Sequence, residues 1–323
     1  MAYELVGSQT WCKWFLPCIG FAAKKYTPPM PGLSNFKGEV YHTGVWPQYG
    51  VNLRRKRIAQ IGTGASGIQV IQEIGDDAKH LTIYQRTPNL CLPMKQVKLD
   101  PKEEQKKKDS GEYEEMMKQT KNTFAGFAYD FMGKNTFDDT AEEREKTYHR
   151  LMHEEGGFHF WLNTYQDMLF VQEANDEAYK FWRESVRKRI KDPKKRELLA
   201  PEHPPHPWGT KRPSLEQRFY EVIDQPHIDF IDVNTSPIEG VEENGVRTKD
   251  EGVVDVDVII LATGFDSVSG SLSQIDIRGT DGNPIAVHWK DGVRTGLGIA
   301  IHGYPNMFYL YGQVLLFRGT VVR

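Results

Sequence analysis

The segment Gly62-Thr63-Gly64-Ala65-Ser66-Gly67 constrains this chain more than any other. Three glycines at this spacing follow the short run Ile58-Ala59-Gln60-Ile61 and precede a helical pattern through Ile68, Val70, Ile71 and Ile74. Strand, glycine turn and helix in that order predict the opening of a dinucleotide-binding βαβ unit, with Leu81-Thr82-Ile83-Tyr84-Gln85 as its second strand. In such a turn the first glycine makes the tight bend, the second lets the backbone approach a pyrophosphate, and the third lets helix and strand pack closely. Gly62, Gly64 and Gly67 hold those positions, and the unpaired N–H groups of the helix start are suited to phosphate. A site for NAD would close the second strand with an acid on the ribose 2′-hydroxyl, whereas here stands Gln85-Arg86-Thr87. A guanidinium matches a 2′-phosphate that a carboxylate would repel, so Arg86 predicts NADP(H) over NAD(H).

The 323 residues allow two domains and a sizeable core. With 41 basic and 44 acidic residues the net charge of -3 argues against nucleic acid or an anionic membrane as the main partner. Cys12, Cys18 and Cys91 make an odd set without metal-ligand spacing, which predicts free thiols in a reducing compartment and no metal site. Residues 14–23 are apolar but carry Pro17 and Gly20 and are too short to span a bilayer. Lys13 and Ala22-Ala23 imitate a signal segment, yet the turn chemistry of Lys24-Lys25-Tyr26-Thr27-Pro28-Pro29 predicts a buried strand over 14–18, then a loop, in a cytoplasmic protein. Residues 95–207 are dense in Lys, Glu and Asp with aromatics at helical spacing, as in 173–190, and predict a helical insertion. The runs 106–108 and 187–196 read as solvated helix faces. The α/β character returns at 219–222 and at the strand 228–232. A strand over 256–261 then runs into Ala262-Thr263-Gly264-Phe265-Asp266, and 307–311 is a last apolar strand.

Before the glycine turn lies F-x-G-x-x-x-H-x-x-x-W-P, at Phe36, Gly38, His42, Trp46 and Pro47. This resembles the fingerprint of the Baeyer-Villiger monooxygenases, flavoproteins that use FAD, NADPH and oxygen to insert an oxygen atom beside a ketone carbonyl. N-hydroxylating flavin monooxygenases carry a similar stretch without Trp-Pro, so Trp46-Pro47 favours the ketone branch. Gln85-Arg86-Thr87-Pro88-Asn89, Gly209-Thr210-Lys211-Arg212-Pro213, 262–266 and His302-Gly303-Tyr304-Pro305-Asn306 through Tyr311-Gly312 extend the resemblance over nearly the whole chain.

The resemblance implies that Arg212 is the active-site arginine, a permanent cation stabilising the anionic C4a-peroxyflavin and then the tetrahedral adduct with the ketone. It implies that Lys211 joins Arg86 on the 2′-phosphate, with Gln85 and Thr210 beside them. Thr63, Ala65, Ser66 and Gln69 would line the pyrophosphate, and Gly20, Gly264 and Asp266 would lie on the FAD side. His42 takes a hinge or hydrogen-bonding role rather than that of an acid or base.

The chain also departs from the family pattern. No second G-x-G-x-x-G for FAD precedes Trp14, and Ile19 follows Cys18 where a small hydroxyl residue is usual. Gly296 stands where an aromatic is expected, and 314–323 resembles neither an active-site loop nor a terminal segment. The expected architecture is therefore α/β: a Rossmann-like FAD/NAD(P)-binding fold with a parallel sheet, a helical insertion and an incomplete FAD domain, truncated at both ends as by an incomplete gene model or alternative transcript. Residues 1–50 form the FAD-domain remnant and linker, 51–94 and 208–250 the two NADP halves, 95–207 the insertion, and 251–323 the return to the FAD domain. The expected activity is NADPH- and oxygen-dependent conversion of a cyclic or linear ketone to an ester or lactone. The alternatives are an NADP(H)-binding homologue without oxygenation, an N-hydroxylating enzyme and a non-catalytic interaction module, with oligomeric state unassigned.

Overall fold

The computed structural model describes residues 10–267 and 269–309. The expectations for 310–323, including the Tyr311-Gly312 stretch and the C-terminal departure, lie outside the described residues. Two compact units emerge: Pro29–Thr43 with Pro47–Ala262, and Met1–Pro28 with Gly44–Trp46 and Thr263–Arg323.

The larger unit begins with β1 (Glu39–His42), β2 (Arg57–Ile61), α1 (Ala65–Ile74) and β3 (His80–Gln85). A two-residue strand β4 (Leu92–Pro93) leads into the insertion, with α2 (Pro101–Asp109), α3 (Glu112–Gln119), α4 (Ala141–His149), α5 (His159–Leu162), α6 (Gln172–Arg187) and α7 (Pro193–Leu199). The chain returns through β5 (Leu215–Glu216), α8 (Phe219–Ile223), β6 (Ile228–Asp232), the antiparallel strands β7 (Ile238–Glu242), β8 (Gly245–Thr248) and β9 (Gly252–Asp255), and β10 (Val258–Leu261). The main sheet has the order β1-β10-β2-β3-β6 with every neighbour parallel.

Register explains how both sheet faces are covered. Ala59 pairs with Ile259 and Thr82, and Ile61 with Leu261 and Tyr84, so these side chains share one face. That face packs on Phe36, Val241, Val246 and Val256, which brings the β7–β9 meander against it. The opposite face carries Ile58, Gln60, Leu81 and Ile83, and Gln60 reaches α1 from it. Strands buried on both faces read as apolar runs, which is why β2, β3 and β10 were legible. The meander was not foreseen, although Asn244-Gly245 between alternating apolar residues is a hairpin signal. Strand β10 starts at Val258 rather than Val256 because the chain is still leaving β9 at Asp255.

The insertion closes on aromatic rings: Tyr148, Phe160, Trp182 and Trp208 are buried, and Phe160 and Trp182 both pack on Trp208. The expectation that 187–196 is a solvated face is corrected. Arg189 pairs with Glu216 at 2.7 Å and Glu221 at 2.6 Å, and Lys195 is buried with Nζ donating to the carbonyls of Ile223 and Gln225. Burial opposes the charge of Arg189, yet the carboxylates of Glu221 and Glu216 outweigh it and push its pKa up. These groups fasten the end of the insertion to the elements that follow it.

The smaller unit holds α9 (Gly270–Ser273), α10 (Ile285–His288) and isolated bridges joining Phe15 to Met307, Lys25 to Phe265, and Ala300 to Phe308. Its core gathers Leu272, Ile277, Ile285, Trp289, Ile301, Tyr304, Met307 and Tyr309. The buried strand expected over 14–18 is instead a single bridge at Phe15, with Trp14, Phe15 and Leu16 exposed. The strand expected at Met307 is reduced to bridges at Met307 and Phe308, with Leu310 and Tyr311 outside the described residues.

Candidate functional site

The glycine turn joins β2 to α1 at the carboxyl end of the sheet, where open α/β folds bind ligands. Gly62 has φ 103°, a conformation open to glycine, and its N–H donates to the Tyr84 carbonyl at 3.0 Å. At Gly67 a Cβ would lie 2.5 Å from the Gly62 oxygen, so the helix meets the turn too closely for any side chain. At Gly64 a Cβ would meet nothing within 4 Å. The turn is thus closed at its third glycine and open at its second, as a backbone that receives a phosphate requires. Gly64 caps α1 without a side-chain hydrogen bond and no acid occupies the first helical turn, which leaves N–H donors and the positive helix end to a ligand.

Two polar residues that sequence reasoning missed hold this geometry. Gln60 is fully buried in β2, and its Nε2 donates to the carbonyls of Gly62 and Gly67, each at 3.1 Å. Asn89 donates from Nδ2 to the Thr63 carbonyl at 3.1 Å and to Ser214 Oγ at 2.7 Å, while its Oδ1 accepts from the Ser214 N–H at 3.2 Å. The signal for Gln60 was a polar residue inside an otherwise apolar central strand, where only hydrogen bonding offsets burial. Asn89 stood inside the Gln85–Asn89 stretch that carries the resemblance, but no local signal tied it to Thr63 or Ser214.

The loop carrying Lys211 and Arg212 is anchored at both ends. Before it, Asn175 on α6 accepts from the Trp208 N–H at 2.7 Å and donates to the Trp208 carbonyl at 2.9 Å. Trp161 donates to the Gly209 carbonyl at 3.1 Å, and Gly209 has φ 76° with no room for a Cβ against the Trp161 ring. After the loop, Ser214 is held by Asn89, and its carbonyl accepts from Leu92 N at 2.8 Å beside the β4–β5 pairing. Between these anchors Thr210, Lys211 and Arg212 are exposed, and the Thr210 hydroxyl donates to the Pro207 carbonyl.

The side chains of Arg86, Lys211 and Arg212 make no hydrogen bond or ion pair among the described residues. Ala65, Ser66 and Gln69 are exposed beside Gly64. Thr63 is buried, with its hydroxyl on the Thr87 carbonyl at 3.2 Å. Gln85 is also buried, its amide donating to the Leu198 carbonyl at 2.9 Å, so its side chain faces the insertion.

The F-x-G-x-x-x-H segment is a strand rather than only a linker: β1 runs beside β10, His42 is buried opposite Leu261, and Phe36 packs in the core. At Gly38 a Cβ would lie 2.3 Å from the Asp257 carbonyl oxygen. Trp46 belongs to the smaller unit and Pro47 to the larger, so the motif spans the point where the chain passes between them. Within the smaller unit, Gly20 and Gly264 have φ of 69° and 79° with open space at Cβ, and Asp266 pairs with Lys24 at 3.0 Å. Among the described residues no cluster of His, Cys, Asp or Glu could hold a metal, and no helix is long and apolar enough to cross a membrane.

No protein-family profile matches the chain. Cyclopentanone 1,2-monooxygenase of Comamonas sp. is 47% identical over 294 residues, which is 91% of this chain and 53% of that protein. Acetone monooxygenase (methyl acetate-forming) of Gordonia sp. is 36% identical, covering 91% of this chain and 54% of the relative. OTEMO, solved in complex with FAD and NADP, superposes with a TM-score of 0.85 at 35% identity, over 93% of this chain and 56% of that one. The open crystal structure of cyclohexanone monooxygenase gives a TM-score of 0.82 at 32% identity, over 93% and 57%. The chain spans about half the length of the curated relatives it matches.

Proposed function

We propose, from the premise that this chain is a homologue of the Baeyer-Villiger monooxygenases, that it supplies the NADPH site and the active-site arginine of an oxygenase converting a ketone to an ester or lactone. One observation carries the reading: Arg86, Lys211 and Arg212, free of carboxylate partners, stand in the same unit as a glycine turn that is open at Gly64 and uncapped at the start of α1.

NADPH fits these residues. Its pyrophosphate would lie on the N–H groups from Gly64 to Gly67, with Thr63, Ala65, Ser66 and Gln69 around it. Its 2′-phosphate would take Arg86 and Lys211, flanked by Thr210, and Gln85 would support that wall from within. FAD would be met by Gly20, Gly264 and Asp266, the first two offering open backbone. When bound, NADPH supplies the electrons and FAD with oxygen supplies the oxygen-transfer chemistry. Overall, ketone, O2, NADPH and a proton give ester, NADP+ and water. Arg212 offers the planar N–H donors of a guanidinium, so it would stabilise an oxyanion developing on the former carbonyl. His42, buried at the end of β1, holds the strand rather than moving a proton. The free thiols Cys12, Cys18 and Cys91 suit a reducing cytoplasm.

A second reading, NADP(H) binding without oxygenation, is favoured by one feature: the residues proposed for NADPH, from Gly62 to Lys211, all lie in the larger unit. Visible spectra of the purified chain with and without added FAD, together with ketone-stimulated NADPH oxidation, separate the two. Retained flavin and ketone-dependent turnover support oxygenation. NADPH binding without flavin supports the second reading, and absence of NADPH binding overturns both.

A further inference from the structure

We infer that Asn89 is a positioning residue that locks the Lys211-Arg212 loop to the dinucleotide turn, so that the two phosphate-binding parts of the site are set by one side chain. The inference rests on the proposed NADPH site. Among the described residues Asn89 is the one whose amide touches both parts: its Nδ2 bonds the Thr63 carbonyl inside the glycine turn, and its two polar atoms bracket Ser214, two residues after Arg212. The other end of the loop is fixed separately by Asn175 on the Trp208 backbone. Only four residues, Gly209 to Arg212, and then Pro213 separate the two clamps. The Lys211 and Arg212 side chains have no partner to hold them among the described residues. Their placement therefore depends on backbone anchoring: Asn89 holds the exit two residues after Arg212, and Trp161 holds the entry at Gly209, two residues before Lys211. Without it the strand pairing of Leu92 with Leu215 still holds the loop's exit, so the fold survives while the loop moves against the turn.

Two readouts test this. The first needs no cofactor. Trypsin can cut after Lys211, whereas Pro213 protects the bond after Arg212, so the rate of the Lys211 cut reports the anchoring. Asn89→Ala should speed it about tenfold through loss of two donated hydrogen bonds, read well below the melting transition of either chain. Ser214→Ala removes only the hydroxyl partner and should give an intermediate rate. The second readout is cofactor choice: Asn89→Ala should weaken NADPH about tenfold and NADH less than about threefold, because the loop contributes the lysine that meets the 2′-phosphate. In a Lys211→Ala background the same change should cost NADPH less than about threefold, the coupling expected of a residue acting through another. An unchanged tryptic rate overturns the inference, as does equal loss of NADPH and NADH, or full additivity with Lys211→Ala. If the wild-type chain binds no NADPH, the nucleotide reading fails and the tryptic rate alone decides Asn89.

Discussion

Two neighbouring glycines should respond to the same substitution in opposite ways. In Gly67→Ala the new methyl would lie 2.5 Å from the Gly62 carbonyl oxygen and 3.1 Å from Gln60 Nε2, both fixed by the amide bonds of Gln60. Helix and turn must part by about 0.5–1 Å to reach normal separation. Overpacking of this kind costs about 1–3 kcal/mol, loosening the Gln60 bonds adds about 1, and the better helix propensity of alanine returns about 1. The net loss of about 2 kcal/mol corresponds to a fall in Tm of about 4–8 °C for a unit of this size. In Gly64→Ala the methyl meets no protein atom and φ is -71°, which alanine adopts freely. The poorer N-cap and the stiffer unfolded chain nearly cancel, so Tm should stay within about 2 °C. That methyl nevertheless fills the space where the pyrophosphate would approach, and NADPH affinity should fall more than about tenfold, or 1.4 kcal/mol. Thermal melts beside fluorescence titration with NADPH read both effects. Wild-type affinity in Gly64→Ala would refute the assignment of the open face to the phosphates. An unshifted melt in Gly67→Ala would refute the close-packing argument.

Arg86→Ala should raise the Kd for NADPH about 10–100-fold while leaving NADH nearly unchanged, since a charge-assisted bond to the 2′-phosphate is worth about 1.5–3 kcal/mol; equal loss for both cofactors in the same titration would remove Arg86 from the site. Asn175→Ala leaves the buried N–H and carbonyl of Trp208 unpaired and should destabilise the chain by about 2–4 kcal/mol in urea unfolding. Burial first, then the charges of His149, Arg189, Lys95 and Lys188, hold the His153 pKa below its ordinary 6.5. Between that lowered value and 6.5 the unfolded chain binds more protons than the folded one, so stability falls as pH drops through this window. His153→Gln should flatten that part of a stability-pH profile, and an unchanged slope would exclude His153 as its source.

What could be read in the sequence was what depends on local pattern. Strands β2, β3 and β6 announce themselves as short apolar runs, and the glycine turn stands between β2 and α1. Arg86 stood out as a candidate because no carboxylate follows the second strand at that position. The clamps were not legible, because Gln60, Asn89 and Asn175 act on backbone atoms up to 125 residues away. A single sequence carries no periodicity for such contacts. The basic run 187–196 misled for a related reason: Arg189 and Lys195 are charged like their neighbours, and only the fold reveals that Glu216, Glu221 and the carbonyls after α8 receive them. Likewise β1 was hidden in a motif whose resemblance suggested a linker, while its pairing with β10 is a long-range event.

That pairing has a consequence for autonomy. The central strands β2, β3 and β10 are covered on both faces by residues of the same unit: one face by Phe36 and the β7–β9 meander, the other by α1 and its neighbours, while Val40 on the edge strand β1 stays exposed. A parallel sheet is stabilised by burial on both faces, and the central strands meet that condition with residues between Pro29 and Ala262. The smaller unit, by contrast, leaves Trp14, Phe15, Leu16 and Phe21 exposed, a set of apolar rings and chains whose hydration costs stability. A chain limited to residues 29–262 should therefore fold cooperatively, keep the Gly62–Gly67 turn and bind NADPH within about threefold of the full chain, since no proposed ligand of NADPH lies outside it. Circular dichroism melts and NADPH titration of that fragment provide the measurement. A fragment with near-native secondary structure but no cooperative melt, or one that folds and loses NADPH, would refute the claim that the larger unit holds both a complete core and a complete nucleotide site.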